Sequence, residues 1–205
     1  MSTWGIVVAA GSGSRFGGPK QYEVLCGRRV VDWSRQALLR FCEGVVMVVP
    51  ADRIAHREPG AHRVVVGGDT RSASVRAGLA AVADDADIIV VHDGARPLAG
   101  IELFKRVIGA VEAGADAAVP GLEVADTIRS VDGGTLDRGR LVAVQTPQAF
   151  RAGALRAAHE GNPEASDDAA LVEANGGTVV VVDGEYRNIK ITTPIDLRFA
   201  AFLLA

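Results

Sequence analysis

Six short aliphatic runs constrain this chain most: Ile6–Ala10, Val45–Val49, Arg63–Val66, Ile88–Val91, Ala117–Val119 and Val179–Val182. They are continuous rather than alternating, which is the pattern of strands covered on both faces and therefore of a largely parallel sheet. Helical patterns lie between them. Val30, Ser34, Ala37, Leu38 and Phe41 share one face and predict a helix over Val30–Phe41. A second is expected from near Thr70 to Val82 and a third after Gly100. A fourth is expected over about Asp168–Ala174, with Ser166 or Asp167 as N-cap and Gly176 past its end. The repeated β-α-β order predicts an α/β, Rossmann-like fold, with a mostly parallel twisted sheet and helices on both faces.

The rhythm breaks between Asp126 and Gln145, where the residues alternate around Gly133-Gly134 without a helical stripe, so an inserted β-hairpin arm is expected there. A length of 205 residues, 48% of them hydrophobic, suits one domain over 1–205 with a single core. A net charge of −3 with no block of Lys or Arg argues against a general nucleic-acid or membrane-surface binder, so any bound anion must meet a local cluster. Cys26 and Cys42 form no CxxC pair and read as reduced structural thiols rather than a zinc site. The N-terminus lacks a basic segment and cleavage site, and no apolar run is long enough to span a bilayer, so a cytoplasmic protein is expected.

The chemistry should lie in "GIVVAAGSGSRFGGPKQY", residues 5–22, where a glycine-rich turn follows the first strand and backbone N–H groups can converge on an anion. It is not a dinucleotide fingerprint, because Phe16 stands where the third glycine belongs. It is not a P-loop either: Pro19 separates Gly18 from Lys20, and Gln21 replaces the magnesium-binding hydroxyl. What remains is a turn with two cations, Arg15 and Lys20, beside small residues, Ala9 and Ala10, that leave room for a flat group. That describes a site for a nucleoside triphosphate.

The loop "AAGSGSRFGGPKQY" resembles the signature of the isoprenoid-pathway cytidylyltransferases that act on 2-C-methyl-D-erythritol 4-phosphate. "GGDTRSASV" (67–75), "VHDGARP" (91–97), "ADTIRS" (125–130), "LDRGRL" (136–141), "QTPQAF" (145–150), "SDDAALVE" (166–173) and "NIKIT" (188–192) carry the resemblance across nearly the whole chain in order. It implies a fold of the nucleotide-diphospho-sugar transferase type and attack by a sugar-alcohol phosphate on the α-phosphorus of CTP, with Mg²⁺ and release of pyrophosphate. Such a step needs positioning and charge compensation more than a covalent nucleophile.

The resemblance makes Arg15 and Lys20 stabilisers of the transition state, and Arg138 and Lys190, the latter expected in a short strand, holders of the acceptor phosphate. It places Ala9, Ala10, Gly11, Gly13, Ser14, Gly68, Asp69 and Ser74 around CTP. Asp93, at a strand end where open α/β sheets present ligand groups, would meet ribose or acceptor hydroxyls and lie near the metal, which the CTP phosphates mainly hold. Arg96 and Thr127 would contact the acceptor. The adjacent His92 reads as a packed side chain, since an ionised phosphate needs no general base. In this family the 126–145 arm clasps a second subunit, which implies a homodimer, although the arm here is short. The similar ribitol 5-phosphate cytidylyltransferases share the pattern, and a nucleotide-binding regulator without turnover is the alternative of another class.

Overall fold

The computed structural model describes residues 1–56 and 58–205. In chain order its elements are β1 (Thr3–Val8), β2 (Val24–Leu25), β3 (Arg28–Arg29), α1 (Val30–Leu38), β4 (Gly44–Val49), β5 (Arg63–Val66), α2 (Arg71–Leu79) and β6 (Ile88–Asp93). There follow α3 (Ile101–Glu112), β7 (Ala117–Glu123), β8 (Val142–Val144), β9 (Gln148–Arg151), α4 (Ala152–Ala158), α5 (Asp168–Ala174), β10 (Val179–Asp183) and α6 (Pro194–Leu204). The main sheet runs β10-β7-β9-β6-β1-β4-β5, with β8 paired to β7 and β2-β3 forming a separate ribbon. The pairs β1–β4, β4–β5, β1–β6 and β7–β10 are parallel, whereas β9 lies antiparallel between β6 and β7.

Strand alternation divides the core between the two faces. Ile6, Val46, Val48, Ile89 and Val91 pack with Val75, Leu155 and Val172 from α2, α4 and α5. Val7, Val45, Met47 and Val90 pack on the other face with Val31, Leu38, Phe104 and Val107 from α1 and α3. The mostly parallel α/β sheet with helices on both faces is thus the expected fold.

Its details differ in four respects. Buried runs mark only the inner strands: β4 and β6 are buried throughout, but β5 and β10 are sheet edges where Val66, Val180 and Val181 remain 41–51% exposed. The helices α1 and α2 stop at Leu38 and Leu79, and tighter turns carry the chain on, with the amides of Phe41 and Ala81 bonded to the carbonyls of Leu38 and Gly78. The segment around Lys190 is not a strand; it is tied to the sheet end by the Ile191 amide on the Ala95 carbonyl. Finally, β9, α4 and α6 appear where no element was expected.

Between Glu123 and Val142, which pair across β7 and β8, the chain projects as an arm. It is held by an Arg129–Thr135 bridge, a Ser130–Gly134 backbone bond and a 3-10 turn over Arg138–Arg140. After β1, β4 and β5 are laid on one side of β1, the chain crosses to β6 on the other. The carboxyl ends of β1 and β6 therefore meet at the switch of strand order, where open α/β sheets leave a crevice for ligand.

Candidate active site

A cleft of about 450 Å³ opens at that switch. One wall is the end of β1 and the glycine-rich loop, another is the 68–74 turn into α2, and the floor carries Asp93 and Lys190. The loop folds on the Gly13 carbonyl, which accepts the amides of Phe16, Gly17 and Gly18 at 2.8, 3.1 and 3.3 Å. Gly13 has φ +71°, and a Cβ there would lie 1.9 Å from the Gly18 carbonyl oxygen, so only glycine closes this turn. Pro19 then leads into a 3-10 turn, Lys20–Tyr22, that delivers Lys20 to the cleft. Behind it the buried Gln21 amide donates to the carbonyls of Ala9 and Gly11, each at 2.8 Å, fastening the loop to the strand end. On the opposite wall a Cβ at Gly67 would come within 2.3 Å of the Ala10 Cβ, so glycine lets the two walls approach.

The floor is built from opposed charges. Lys190 Nζ lies 2.6 Å from Asp93 Oδ2, and Arg71 Nε lies 3.8 Å from Asp93 Oδ1. Burial by itself would raise the Asp93 pKa, but Lys190, Arg71 and Arg96 outweigh it and hold the carboxyl well below the ordinary range. Burial lowers the Lys20 pKa, and the neighbouring charges of Lys190 and Arg15 lower it further. The site thus gathers more positive charge than it neutralises, which is the balance expected of a receptor for a polyanion.

The buried His92 is pushed down to about 4 by desolvation and is neutral. Its Nε2 stands 3.2 Å from the Arg96 carbonyl, which can only accept, so Nε2 carries the proton and Nδ1 accepts from the Thr146 hydroxyl at 3.0 Å. The Thr146 Oγ1 in turn accepts the Asp93 amide at 3.0 Å. His92 is therefore a packed side chain that braces Asp93 through Thr146.

Of the residues expected in the site, Ala9, Ala10, Gly11, Lys20, Gly68, Asp69, Ser74, Asp93 and Lys190 line the cleft together. Ser74 Oγ donates to the Gly68 carbonyl at 3.3 Å and shapes that turn. Gly13, Ser14 and Arg15 lie in the loop beside the cleft, with Arg15 exposed yet close enough to act on Lys20. Arg96 is directed elsewhere: its guanidinium donates to the Asn188 carbonyl at 2.8 Å, below the floor. Thr127 and Arg138 are not brought to the cleft within this chain; both are exposed on the arm, and Arg138 donates to the carbonyl of Ala125. Sequence alone gives Gln21, Arg71 and Thr146 no role, although Arg71 and Thr146 fall inside the motifs "GGDTRSASV" and "QTPQAF" and Gln21 inside "GGPKQY".

A resident metal has little to bind here. Among the described residues no three His, Cys, Asp or Glu side chains are grouped as ligands, and Asp93 is already paired with Lys190. The donors do fit a Mg²⁺ that arrives on phosphate oxygens and takes at most one or two carboxylates from the protein. Among the described residues no helix is long and apolar enough to cross a membrane.

The sequence profile of 2-C-methyl-D-erythritol 4-phosphate cytidylyltransferase matches residues 4–205. A curated protein of that name from Nocardia farcinica is 45% identical over 97% of this chain and 92% of its own length. A bifunctional enzyme IspD/IspF from Clavibacter michiganensis is 44% identical over 98% of this chain, which spans 54% of that longer protein. Among solved structures, 2-C-methyl-D-erythritol 4-phosphate cytidylyltransferase from Thermus thermophilus superposes with a TM-score of 0.85 at 36% identity, over 99% of this chain and 98% of the other. The bifunctional IspDF from Campylobacter jejuni superposes with a TM-score of 0.87 at 30% identity, over 97% of this chain and 54% of the other.

Proposed function

This chain belongs to the 2-C-methyl-D-erythritol 4-phosphate cytidylyltransferase family and is a nucleotidyltransferase, and from that premise we propose that it joins CTP to 2-C-methyl-D-erythritol 4-phosphate, giving 4-diphosphocytidyl-2-C-methyl-D-erythritol and pyrophosphate. The observation that carries this reading is the convergence of Lys20 and Lys190 on one cleft whose opposite wall is the close-packed 67–74 turn. The two substrates together bear roughly −6, taking about −2 for a terminal phosphate as the guide. Bringing them within reach of each other is the main obstacle, and fixed cations in the cleft offset it.

The 68–74 turn reads the cytosine with its backbone and the Ser74 hydroxyl, and Ala9, Ala10 and Gly11 leave the flat space the base needs. Backbone amides of the Gly11–Ser14 loop, with Arg15 and Lys20, hold the triphosphate and stabilise charge at the α-phosphorus as pyrophosphate leaves. Lys190 orients the acceptor phosphate for in-line attack, and Asp93 receives a substrate hydroxyl. Asp93 is the carboxylate that would help hold a Mg²⁺ arriving with the triphosphate, and the ion would supply charge compensation for the phosphates there. Arg138 and Thr127 complete the acceptor pocket from the arm, supplied by a second copy in a homodimer. Free Cys26 and Cys42 agree with a reducing cytoplasm as the place of action.

The test supplies CTP, ATP, UTP and GTP in turn with methylerythritol 4-phosphate or ribitol 5-phosphate, in Mg²⁺, and measures pyrophosphate. Turnover should require CTP and the branched sugar phosphate. Turnover with ATP and not CTP would defeat the base assignment, and a preference for ribitol 5-phosphate would defeat the acceptor.

A further inference from the structure

Arg71 stands between two carboxylates and is bonded to only one. Its Nη1 is 2.7 Å from Asp168 Oδ2, whereas its Nε is 3.8 Å from Asp93 Oδ1, beyond hydrogen-bond range. Asp168 has no exposed surface, and its other oxygen lies 3.1 Å from His159 Nε2. It opens α5, whose N-cap Asp167 accepts the amides of Ala169 and Ala170 and is itself gripped by Gln148 Nε2 at 2.6 Å. The result is a row in the order His159, Asp168, Arg71, Asp93, Lys190, buried at His159, Asp168 and Asp93, half-buried at Arg71 and open to solvent at Lys190.

The partition has a consequence for the floor of the cleft. Asp93 Oδ2 is taken by Lys190, but Oδ1 has no hydrogen-bond donor among the described residues, although a guanidinium with five donors stands just out of reach. We propose that Asp168, steadied by His159, is a positioning residue that holds Arg71 off Asp93 and so keeps Asp93 Oδ1 open to the substrate. Its role rests on the nucleotidyltransferase reading above, since the open oxygen has a use only when a ligand occupies the cleft. Without the Asp168 charge, Asp93 becomes the nearest carboxylate, and a shift of about 1 Å brings Arg71 Nε into contact with it. The half-buried guanidinium makes that move because leaving its charge without a carboxylate partner is unfavourable.

The test is Asp168→Asn, which keeps shape and removes charge, in the wild-type and Arg71→Gln backgrounds. In the wild-type background kcat/KM should fall at least about tenfold, while beside Arg71→Gln the same change should cost less than about twofold. Asp168→Glu should recover most of the loss. A merely structural Asp168 would cost the same in both backgrounds, and that result, or no loss at all, overturns the inference. A crystal structure of Asp168→Asn gives a readout independent of activity: Arg71 Nε should sit in hydrogen-bond contact with Asp93, and a separation still near 3.8 Å overturns the proposal. If Asp168→Asn does not fold, His159→Leu should reproduce the shift in the crystal and a smaller loss, about threefold, again absent beside Arg71→Gln. A wild-type enzyme inactive with every nucleotide and sugar phosphate would instead defeat the functional reading, and the crystal structure would still decide this one.

Discussion

The floor of the cleft and the arm carry the same kinds of residue under opposite constraints. Asp93 ends β6, a strand buried along its whole length between β1 and β9, so its position follows from the register of the sheet and from Thr146 and Lys190 around it. Thr127 and Arg138 ride on a segment held by one bridge and one short turn, with nearly every side chain from Arg129 to Arg140 in solvent. A core thus fixes the cleft residues before any ligand arrives, whereas local turn geometry alone fixes the arm residues. Lys20, Asp93 and Lys190 line one cleft within a single chain, whereas Thr127 and Arg138 stand on the arm outside it.

The contrast is broken most severely by truncating the core beneath the cleft. Phe150 on β9 is wholly buried and packs against the sheet face that supports β6, so Phe150→Ala should cost about 3–5 kcal/mol, read from denaturant unfolding. A cost below about 1 kcal/mol would mean that the sheet beside Asp93 is less tightly packed than its burial implies.

Next in size is Lys20→Ala. Removing one preorganised donor from a developing charge typically lowers kcat by about 10²–10³, or about 2.7–4 kcal/mol. Because Lys20 is placed by Pro19 and Gln21 and not by the arm, its loss should fall on kcat far more than on CTP affinity. A loss confined to affinity, measured by calorimetry, would remove its assigned role.

The same contrast explains what the sequence disclosed. Inner strands were legible because β4 and β6 are continuous apolar runs, and the end of β6 pointed to Asp93. The reach of the pattern was limited where burial depends on neighbours: β5 and β10 have equally aliphatic sequences but lie at sheet edges. β9, although central, is a four-residue strand that begins with Gln148 and ends with Arg151, too short and too polar at its ends to show a period. The capping box of Thr193 with Asp196, and Pro194 between them, was a readable start for α6. Lys20 and Lys190 were legible through motifs, but Arg71 was not singled out, because its importance lies in two carboxylates 22 and 97 positions away that only folding brings to it.

Arg138→Ala should have a smaller effect, about tenfold in kcat/KM for the acceptor, or about 1.4 kcal/mol. CTP affinity should be unchanged, and so should unfolding in dilute protein, since Arg138 is exposed on the arm and outside the cleft. Mixing this variant with Lys20→Ala sharpens the comparison. If Arg138 serves the partner's site, half of randomly mixed dimers would contain one intact site, restoring about a quarter of the full rate. No recovery on mixing would place Arg138 in its own subunit's site or outside the reaction.

The smallest effect belongs to the tip of the arm. Val131 is fully exposed in the turn between Ser130 and Gly134, so it has no packing to lose. In dilute protein Val131→Ser should therefore change unfolding free energy by no more than about 0.5 kcal/mol, the range of surface substitutions. Repeating the measurement at rising concentration tests the surface that the arm is held to need. A partner covering the tip would make the substitution costly only where dimers form, since association stabilises the folded chain by mass action. A cost above about 1 kcal/mol that is independent of concentration would instead mean that the arm packs against its own subunit, and the division between a self-sufficient cleft and a dependent arm would fail.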